Sequence, residues 1–299
     1  MLRFLPAPLH GAVMALLLLA NTVFWVIPVY AVVLLKLIVP KGPLLDALSR
    51  LAAWLAQRWA QCNTLMVGAL MPIDWQTSIN AEFTPQGQYL VCSNHQTWND
   101  IFVLMKTFGS KAPFFKFFIK QELIWVPLLG LAWWGLDYPF MKRYTREQIE
   151  KNPALKGTDL GTTRKACERY ANQPVLILNF LEGTRFTRAK HEKQQSPYRH
   201  LLRPKSGGFA FTLSAMGGKL NSLLDVTIVY PEGARGFWDF LCGRVHKVMV
   251  DVRQLTIPPD LFMGDYENDP VFRKRFQDWI AALWTEKDQL IGRAFAETE

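Results

Sequence analysis

Three features of the 299-residue chain predict an α/β fold, with a mostly parallel central sheet flanked by helices and an N-terminal membrane-embedded helical region before it. The first is a stretch without Lys, Arg, Asp or Glu between Arg3 and Lys36. The second is a change of texture near residue 71, beyond which short apolar runs alternate with helical segments. The third is that two of those runs stop at polar clusters, which is where open α/β sheets place their chemistry. The division falls near residue 70: residues 1–70 form a membrane helix plus an amphipathic helix, and residues 71–299 form the second domain.

Gly11 to Leu35 is almost continuously apolar, and 25 such residues exceed the roughly 20 needed to cross a bilayer core. A cleaved signal peptide is the rival reading, but its apolar region spans only about 7 to 15 residues, and this run continues through Pro28 into Leu37-Ile38-Val39. Residues 44–59 then show helical spacing with a polar side, Leu44, Leu48, Leu51 and Leu55 against Asp46, Arg50 and Arg58. Such a helix suits a core element, an interfacial helix or the second arm of a membrane hairpin. Two arms embedded from one face would keep both ends on the same side, and Lys36, Lys41, Arg50 and Arg58 favour the cytoplasmic side, which in a bacterium means the inner membrane. Further on, strands are expected near 88–93, 114–119, 174–180, 223–230 and 244–252, and helices near 98–109, 159–171, 207–217 and 268–287.

Net charge is +9, with 50% hydrophobic and 13% aromatic residues and a mean hydropathy of +0.04. Positive charge on an aromatic-rich chain suits an anionic membrane face or acidic substrates. Nucleic acid is disfavoured as a partner, because zinc spacing, an aromatic RNA-binding motif and a Gly-rich phosphate loop are all missing. Cys62, Cys92, Cys167 and Cys242 are scattered without a C-x-x-C pair, and the five histidines form no ligand set. Neither a metal nor a disulfide framework is expected, and a reducing compartment is the simplest reading.

The chemistry concentrates after the run Tyr89 to Cys92, in Ser93-Asn94-His95-Gln96-Thr97-Trp98-Asn99-Asp100. A turn followed by one helical turn folds Asp100 back toward His95, where the carboxylate accepts from one ring nitrogen and leaves the other as a base. Thr97-x-x-Asp100 equally fits a capping box, with His95 merely a loop histidine. Arg143 ends an aromatic-rich run and offers a guanidinium fork to a phosphate, or is an ordinary surface arginine. Pro174 to Phe180 reads as a buried strand running into Leu181-Glu182-Gly183-Thr184-Arg185. There Gly183 would let the backbone approach a ligand, while Thr184 and Arg185 supply a hydroxyl and a cation. Glu182 would repel a phosphate unless it orients Arg185 or accepts from a substrate hydroxyl, so the pairing suggests a polyol phosphate; a plain turn with a surface ion pair is the alternative. From Thr184 to Ser206 seven basic residues face one acidic residue, Glu192, as in an exposed loop that meets solvent, anionic lipid or an acidic carrier. Asp225 is read as a turn residue.

In order and spacing, N-H-x4-D (Asn94, His95, Asp100), F-x-x-R (Phe140, Arg143), F-x-E-G-T-R-F-T (Phe180 to Thr187) and D-V-T (Asp225 to Thr227) together resemble the glycerolipid acyltransferase family. More narrowly, they resemble the 1-acylglycerol-3-phosphate acyltransferases. Asp137 stands where the family has glycine and Leu181 where it has proline, and Phe-Leu-Glu-Gly-Thr-Arg-Phe-Thr is similar to the branch with longer acyltransferases and lysocardiolipin acyltransferases. The resemblance implies His95 as general base and Asp100 as its orienting partner. Arg143, Glu182, Gly183, Thr184 and Arg185 would hold the glycerol phosphate, with the region from Asp225 to Val229 bordering the acyl-donor site. It implies a lysophospholipid acceptor, lysophosphatidic acid first, and a thioester of acyl carrier protein or coenzyme A as co-substrate, with no cofactor. Other lysolipid acceptors (lysocardiolipin, lysophosphatidylglycerol, a lyso-ornithine lipid) are the nearer alternative, and a non-catalytic membrane-anchored lipid-binding protein is the further one. A serine hydrolase is disfavoured, since neither Ser93 nor Ser206 sits in G-x-S-x-G.

Overall fold

The computed structural model of the chain describes residues 5–142, 150–152, 158–170, 173–216, 220, 222–262 and 264–297. Among them, six strands form one twisted sheet in the order β1-β8-β7-β2-β6-β3: β1 (Asp74–Asn80), β2 (Gln88–Ser93), β3 (Phe115–Phe117), β6 (Val175–Phe180), β7 (Ser222–Val229) and β8 (Lys247–Leu255). Every pairing is parallel except that of β7 with β8. β4 (Ile119–Lys120) and β5 (Phe140–Met141) make a small parallel pair of their own.

Helices cover both faces, which is why the central strands read as unbroken apolar runs. On one face α3 (Asp100–Phe108) joins the N-terminal helices α1 (Ala7–Ile38) and α2 (Pro43–Leu70), burying Met14, Val67, Leu104, Val91, Leu178 and Ile228 together. On the other lie α5 (Thr158–Tyr170), α7 (Ser206–Met216) and α9 (Pro270–Ala296), which enclose Leu90, Ile177, Leu213, Phe276 and Trp284. Each such side chain contributes about 1.5–3 kcal/mol on burial.

The mostly parallel sheet flanked by helices is as the sequence predicts, with differences that have local causes. β1 is an exposed edge strand, Asp-Trp-Gln-Thr-Ser-Ile-Asn, with no apolar run to reveal it. The expected strand at 114–119 is split between two sheets, as β3 and β4. α9 starts where expected, with the Asp269 carboxylate accepting from the Val271 and Phe272 amides and Pro270 in the first turn, a strong helix start. It runs on to Ala296 because Ile291 and Ala294 continue its buried stripe. Part of the basic segment expected to be loop is helical: in α6 (Arg188–Gln194) the Thr187 hydroxyl caps Lys190 N–H, and Gln195 ends the helix in the left-handed region. Arg203 then closes the turn on the Gln194 and Gln195 carbonyls.

α1 and α2 pack along one another, and polar side chains set their register inside an otherwise apolar contact. Asn21 donates to Asn63 (2.8 Å) and the Trp59 indole donates to the Thr22 hydroxyl (3.1 Å). Both ends of α1 are docked on the α/β layer. Near its start the His10 ring nitrogens lie 2.8 Å from the carbonyl of Leu241, which ends α8 (Phe237–Leu241), and 3.2 Å from that of Leu70. Near its end Tyr30 donates to Leu128 O, and Lys36 bonds Gly135 O and the Asp137 carboxylate, all at 2.8 Å, around α4 (Leu129–Gly135). Asp137 takes a φ of 60°, the conformation for which glycine is the usual residue, and its ion pair with Lys36 ties that turn to α1. The outward side of α1 exposes Leu16, Phe24, Ile27, Leu34 and Ile38, alongside Trp54 of α2, Trp125, and Leu131 and Trp134 of α4.

Asp225 is not a turn residue. It sits in mid-β7, fully buried, with Lys287 of α9 at 2.6 Å on one carboxylate oxygen and Arg253 of β8 at 2.6 Å on the other. The Cys92 thiol of β2 also donates to it at 3.0 Å. Burial pushes the Asp225 carboxyl up, but the Lys287 ammonium and its hydrogen bond outweigh that and hold it below the usual carboxylate range. The strand is buried along its whole length and its sequence conceals such a residue, because the partners of Asp225 come from distant elements.

Candidate active site

β2, β6 and β7 are adjacent and parallel, so the loops that follow them open on one edge of the sheet. His95 follows β2, Glu182 follows β6 and Tyr230 follows β7. From β2 the chain moves outward to β3 on one side and later to β7 on the other, which makes this edge the crevice where the strand order reverses.

Both readings of Asp100 hold at once. Its Oδ2 accepts from the Gln96 and Thr97 amides (2.7 and 3.1 Å), as in a cap, and also lies 2.8 Å from His95 Nδ1. Its Oδ1 accepts from the Tyr230 hydroxyl at 2.8 Å. Donation from Nδ1 to the carboxylate leaves Nε2 as the basic nitrogen, and among the described residues nothing bonds it. The ring is stacked on Phe180, with centroids 4.0 Å apart, and is partly open to solvent. The turn beneath it is rigid. Asn94 bonds both the carbonyl (2.8 Å) and the amide (2.9 Å) of Ile228, while Thr97 and Asn99 donate to the Arg235 carbonyl.

The β6 turn is stitched to this one by the Phe186 amide, which donates to the His95 carbonyl at 2.7 Å. Gly183 has a φ of 65°, and a Cβ there would meet the Lys205 side chain at 3.2 Å. Turn geometry and packing are therefore what require glycine. Thr184 accepts from Lys190 at 2.8 Å. Arg185 is exposed and lays its guanidinium over the Trp98 ring, 4.9 Å from the centroid, so a side chain of the His95 turn carries the cation.

Glu182 does not pair with Arg185. It is turned inward and 1% exposed, and neither carboxyl oxygen has a hydrogen-bond partner among the described residues. Burial pushes its carboxyl up to about 8; the peptide groups of Leu202 and His95 offset part of that rise without meeting either oxygen in a bond of ordinary geometry. At neutral pH it keeps its proton, so it adds no negative charge beside a phosphate. A group whose folded value lies above its ordinary 4.5 supports folding fully below that pH, and the support is lost as pH rises through about 8. Glu182→Gln should therefore flatten the decline of melting temperature between about pH 5 and about pH 9. A wild-type slope in that variant would refute the assignment.

The structure thus brings His95, Asp100, Glu182, Gly183, Thr184 and Arg185 together, while Arg143 lies outside the described residues. Sequence reasoning missed Tyr230 and Trp98. Tyr230 ends a core strand like any aromatic, and its position over Asp100 comes only from strand order. No three His, Cys, Asp or Glu side chains converge as metal ligands among the described residues.

Mouse "1-acyl-sn-glycerol-3-phosphate acyltransferase gamma" is 27% identical over 186 residues, covering 58% of this chain and 44% of that protein. The chain therefore matches less than half the length of that relative. The "2-acyl-1-lysophosphatidylinositol acyltransferase" of Saccharomyces cerevisiae is 25% identical over 247 residues, 68% of this chain and 60% of its own length. Among solved structures, the 1-acyl-sn-glycerophosphate (LPA) acyltransferase PlsC of Thermotoga maritima shares the fold, with a TM-score of 0.50 at 16% identity over 93% of this chain and 94% of that one. The family model described as Acyltransferase matches residues 76–235. That span exceeds half of the chain and contains both turns of the crevice, and by it the chain belongs to the Acyltransferase family.

Proposed function

We propose that this chain transfers a fatty acyl group from a thioester of acyl carrier protein or coenzyme A to the sn-2 hydroxyl of lysophosphatidic acid, giving phosphatidic acid. The observation that carries the reading is the 2.8 Å contact of His95 with Asp100 in a crevice that also holds the exposed Arg185 guanidinium. Nε2 of His95 takes the hydroxyl proton as that oxygen attacks the thioester carbonyl. The tetrahedral adduct then collapses, the C–S bond breaks, and the departing thiolate takes the proton back from His95. A positioned base supplies about 10²- to 10⁴-fold, and orientation of the two substrates supplies much of the rest. Arg185 binds the phosphate with Trp98 behind it, Lys190 and Lys205 add positive potential, and neutral Glu182 removes the repulsion that an ionised carboxylate would bring.

The membrane part of the reading rests on α1. A helix crossing a hydrocarbon core of about 30 Å keeps its ends on opposite faces, whereas both ends of α1 are held by the α/β layer. The hairpin therefore enters a single leaflet, with the apolar residues of α1 and Trp54, Trp125, Leu131 and Trp134 as its lipid-facing side and the crevice in the cytoplasm. The name of the yeast relative favours a second reading in which the acceptor carries another headgroup.

One assay separates these readings: thiol release by the purified protein offered each donor with lysophosphatidic acid, lysocardiolipin, lysophosphatidylglycerol or a lyso-ornithine lipid. Lysophosphatidic acid is expected to give the highest kcat/KM. Arg185→Ala should raise KM for phosphate-bearing acceptors by about 10- to 100-fold, the equivalent of losing a charge-assisted hydrogen bond, and leave a phosphate-free acceptor unaffected. Equal KM shifts for all acceptors would refute the assignment of Arg185, and no release with any acceptor would refute the enzyme.

A further inference from the structure

The carboxylate of Asp100 is completely enclosed, and its two oxygens are served by different parts of the fold. Oδ2 belongs to the His95 turn, through the Gln96 and Thr97 amides and His95 itself; Oδ1 has Tyr230. A carboxylate held on one edge alone is free to rotate about its last side-chain bond. Here the far edge is held by a group on another strand. Tyr230 is itself only 1% exposed and directly follows β7, and Asn94 locks that strand to the His95 turn through both polar groups of Ile228. Burial, followed by the neighbouring Asp100 charge, pushes the phenol well above its ordinary range, so it remains a donor across the working pH range.

We propose that Tyr230 is a positioning residue of the acyl-transfer site, holding the far oxygen of Asp100 so that the near one stays on His95 Nδ1. The proposal rests on the reading of His95 as base. Tyr230 has no access to substrate, so it acts only through Asp100. The other ionisable groups around the pair are Glu182 from the β6 turn, with Lys287 of α9 beyond it, and Arg185 over Trp98. Glu182 titrates on the alkaline side of neutrality, away from the acid limb of the rate profile.

The test is Tyr230→Phe, which keeps the ring and its packing. With one donor lost, more negative charge stays on the oxygen facing His95, and imidazolium is stabilised relative to imidazole. The expected result is a kcat about tenfold lower, unchanged KM for acceptor and donor, and an acid limb of kcat/KM moved to higher pH. Replacing Tyr230 by 3-fluorotyrosine, a stronger donor, should move the limb to lower pH with the fold intact. In an Asp100→Asn background the phenylalanine change should cost nothing further, since both act on one contact. A Tyr230→Phe protein with wild-type kcat and limb, or a full additional loss on Asp100→Asn, would overturn the proposal. If Tyr230→Phe folds poorly, an unmoved limb with fluorotyrosine overturns it instead. His95→Ala separates the two failures. Activity in that variant defeats the base reading itself, whereas an inactive His95→Ala beside a wild-type-like Tyr230→Phe defeats only the role of Tyr230.

Discussion

His95→Ala is expected to yield a folded protein that binds anionic vesicles as the wild type does and releases thiol from an acyl thioester about 10²- to 10⁴-fold more slowly. The fold should survive because the His95 ring is partly open and its turn is held by other groups: Asn94 on Ile228, Asp100 on the Gln96 and Thr97 amides, and Thr97 and Asn99 on Arg235. Removing the imidazole leaves those contacts in place and deletes only the group aimed into the crevice. Asp100→Asn is the companion measurement. An Asn oxygen still accepts from both amides, so the turn stays capped, but a neutral partner no longer stabilises the imidazolium formed as the proton moves. The rate should approach that of His95→Ala with the melting temperature little changed. Steady-state thiol release alongside circular dichroism checks both. A wild-type rate in His95→Ala would remove His95 from the role of base, whereas vesicle binding with no thioester consumed by wild type or variant would return the chain to the lipid-binding alternative.

A second large effect belongs to stability. Asp225→Asn should destabilise the protein by about 3–5 kcal/mol, the usual cost of stranding a buried charge. Lys287 is fully buried, and Asp225 is its carboxylate partner at 2.6 Å; without it the ammonium keeps the Val226 carbonyl and the Thr227 hydroxyl but no opposite charge. Arg253 is better placed to survive, because Glu286 also pairs with it at 3.0 Å. The same logic makes Asp225→Leu with Lys287→Met far milder than either single change, since removing both charges removes the desolvation penalty too. Denaturant unfolding of the four proteins tests this, and additive losses would show that the two groups do not depend on each other. Because folding holds Asp225 below the ordinary carboxylate range, its contribution is complete at neutral pH and disappears on acidification through that lowered value.

These two expectations divide along what each residue needs in order to be recognised. His95 and Asp100 lie five positions apart on one turn, and a local polar cluster after an apolar run marks both as candidates, with a capping box as the other reading of the same residues. Asp225, Lys287 and Arg253 come from β7, α9 and β8, and nothing in the neighbourhood of any one of them announces the other two. Glu182 shows an intermediate case. Its place in the β6 turn was legible, but the direction it points was not, and the inward direction changes its charge at neutral pH. Asp137 likewise looked like a departure from a glycine position until α1 supplied Lys36 beside it.

The local pattern of the chain was sufficient for β2, β6, β7 and β8, for the longer flanking helices, for the apolar N-terminal segment and for placing an imidazole and a carboxylate on one turn, because each depends on residues close in sequence and on one period of hydrophobicity. Strand order, the docking of both ends of α1, the burial of Glu182 and the approach of Tyr230 to Asp100 were decided by tertiary structure. They depend on contacts between segments up to 231 residues apart, whose free energies arise only once the sheet has assembled and water has left the space between its layers.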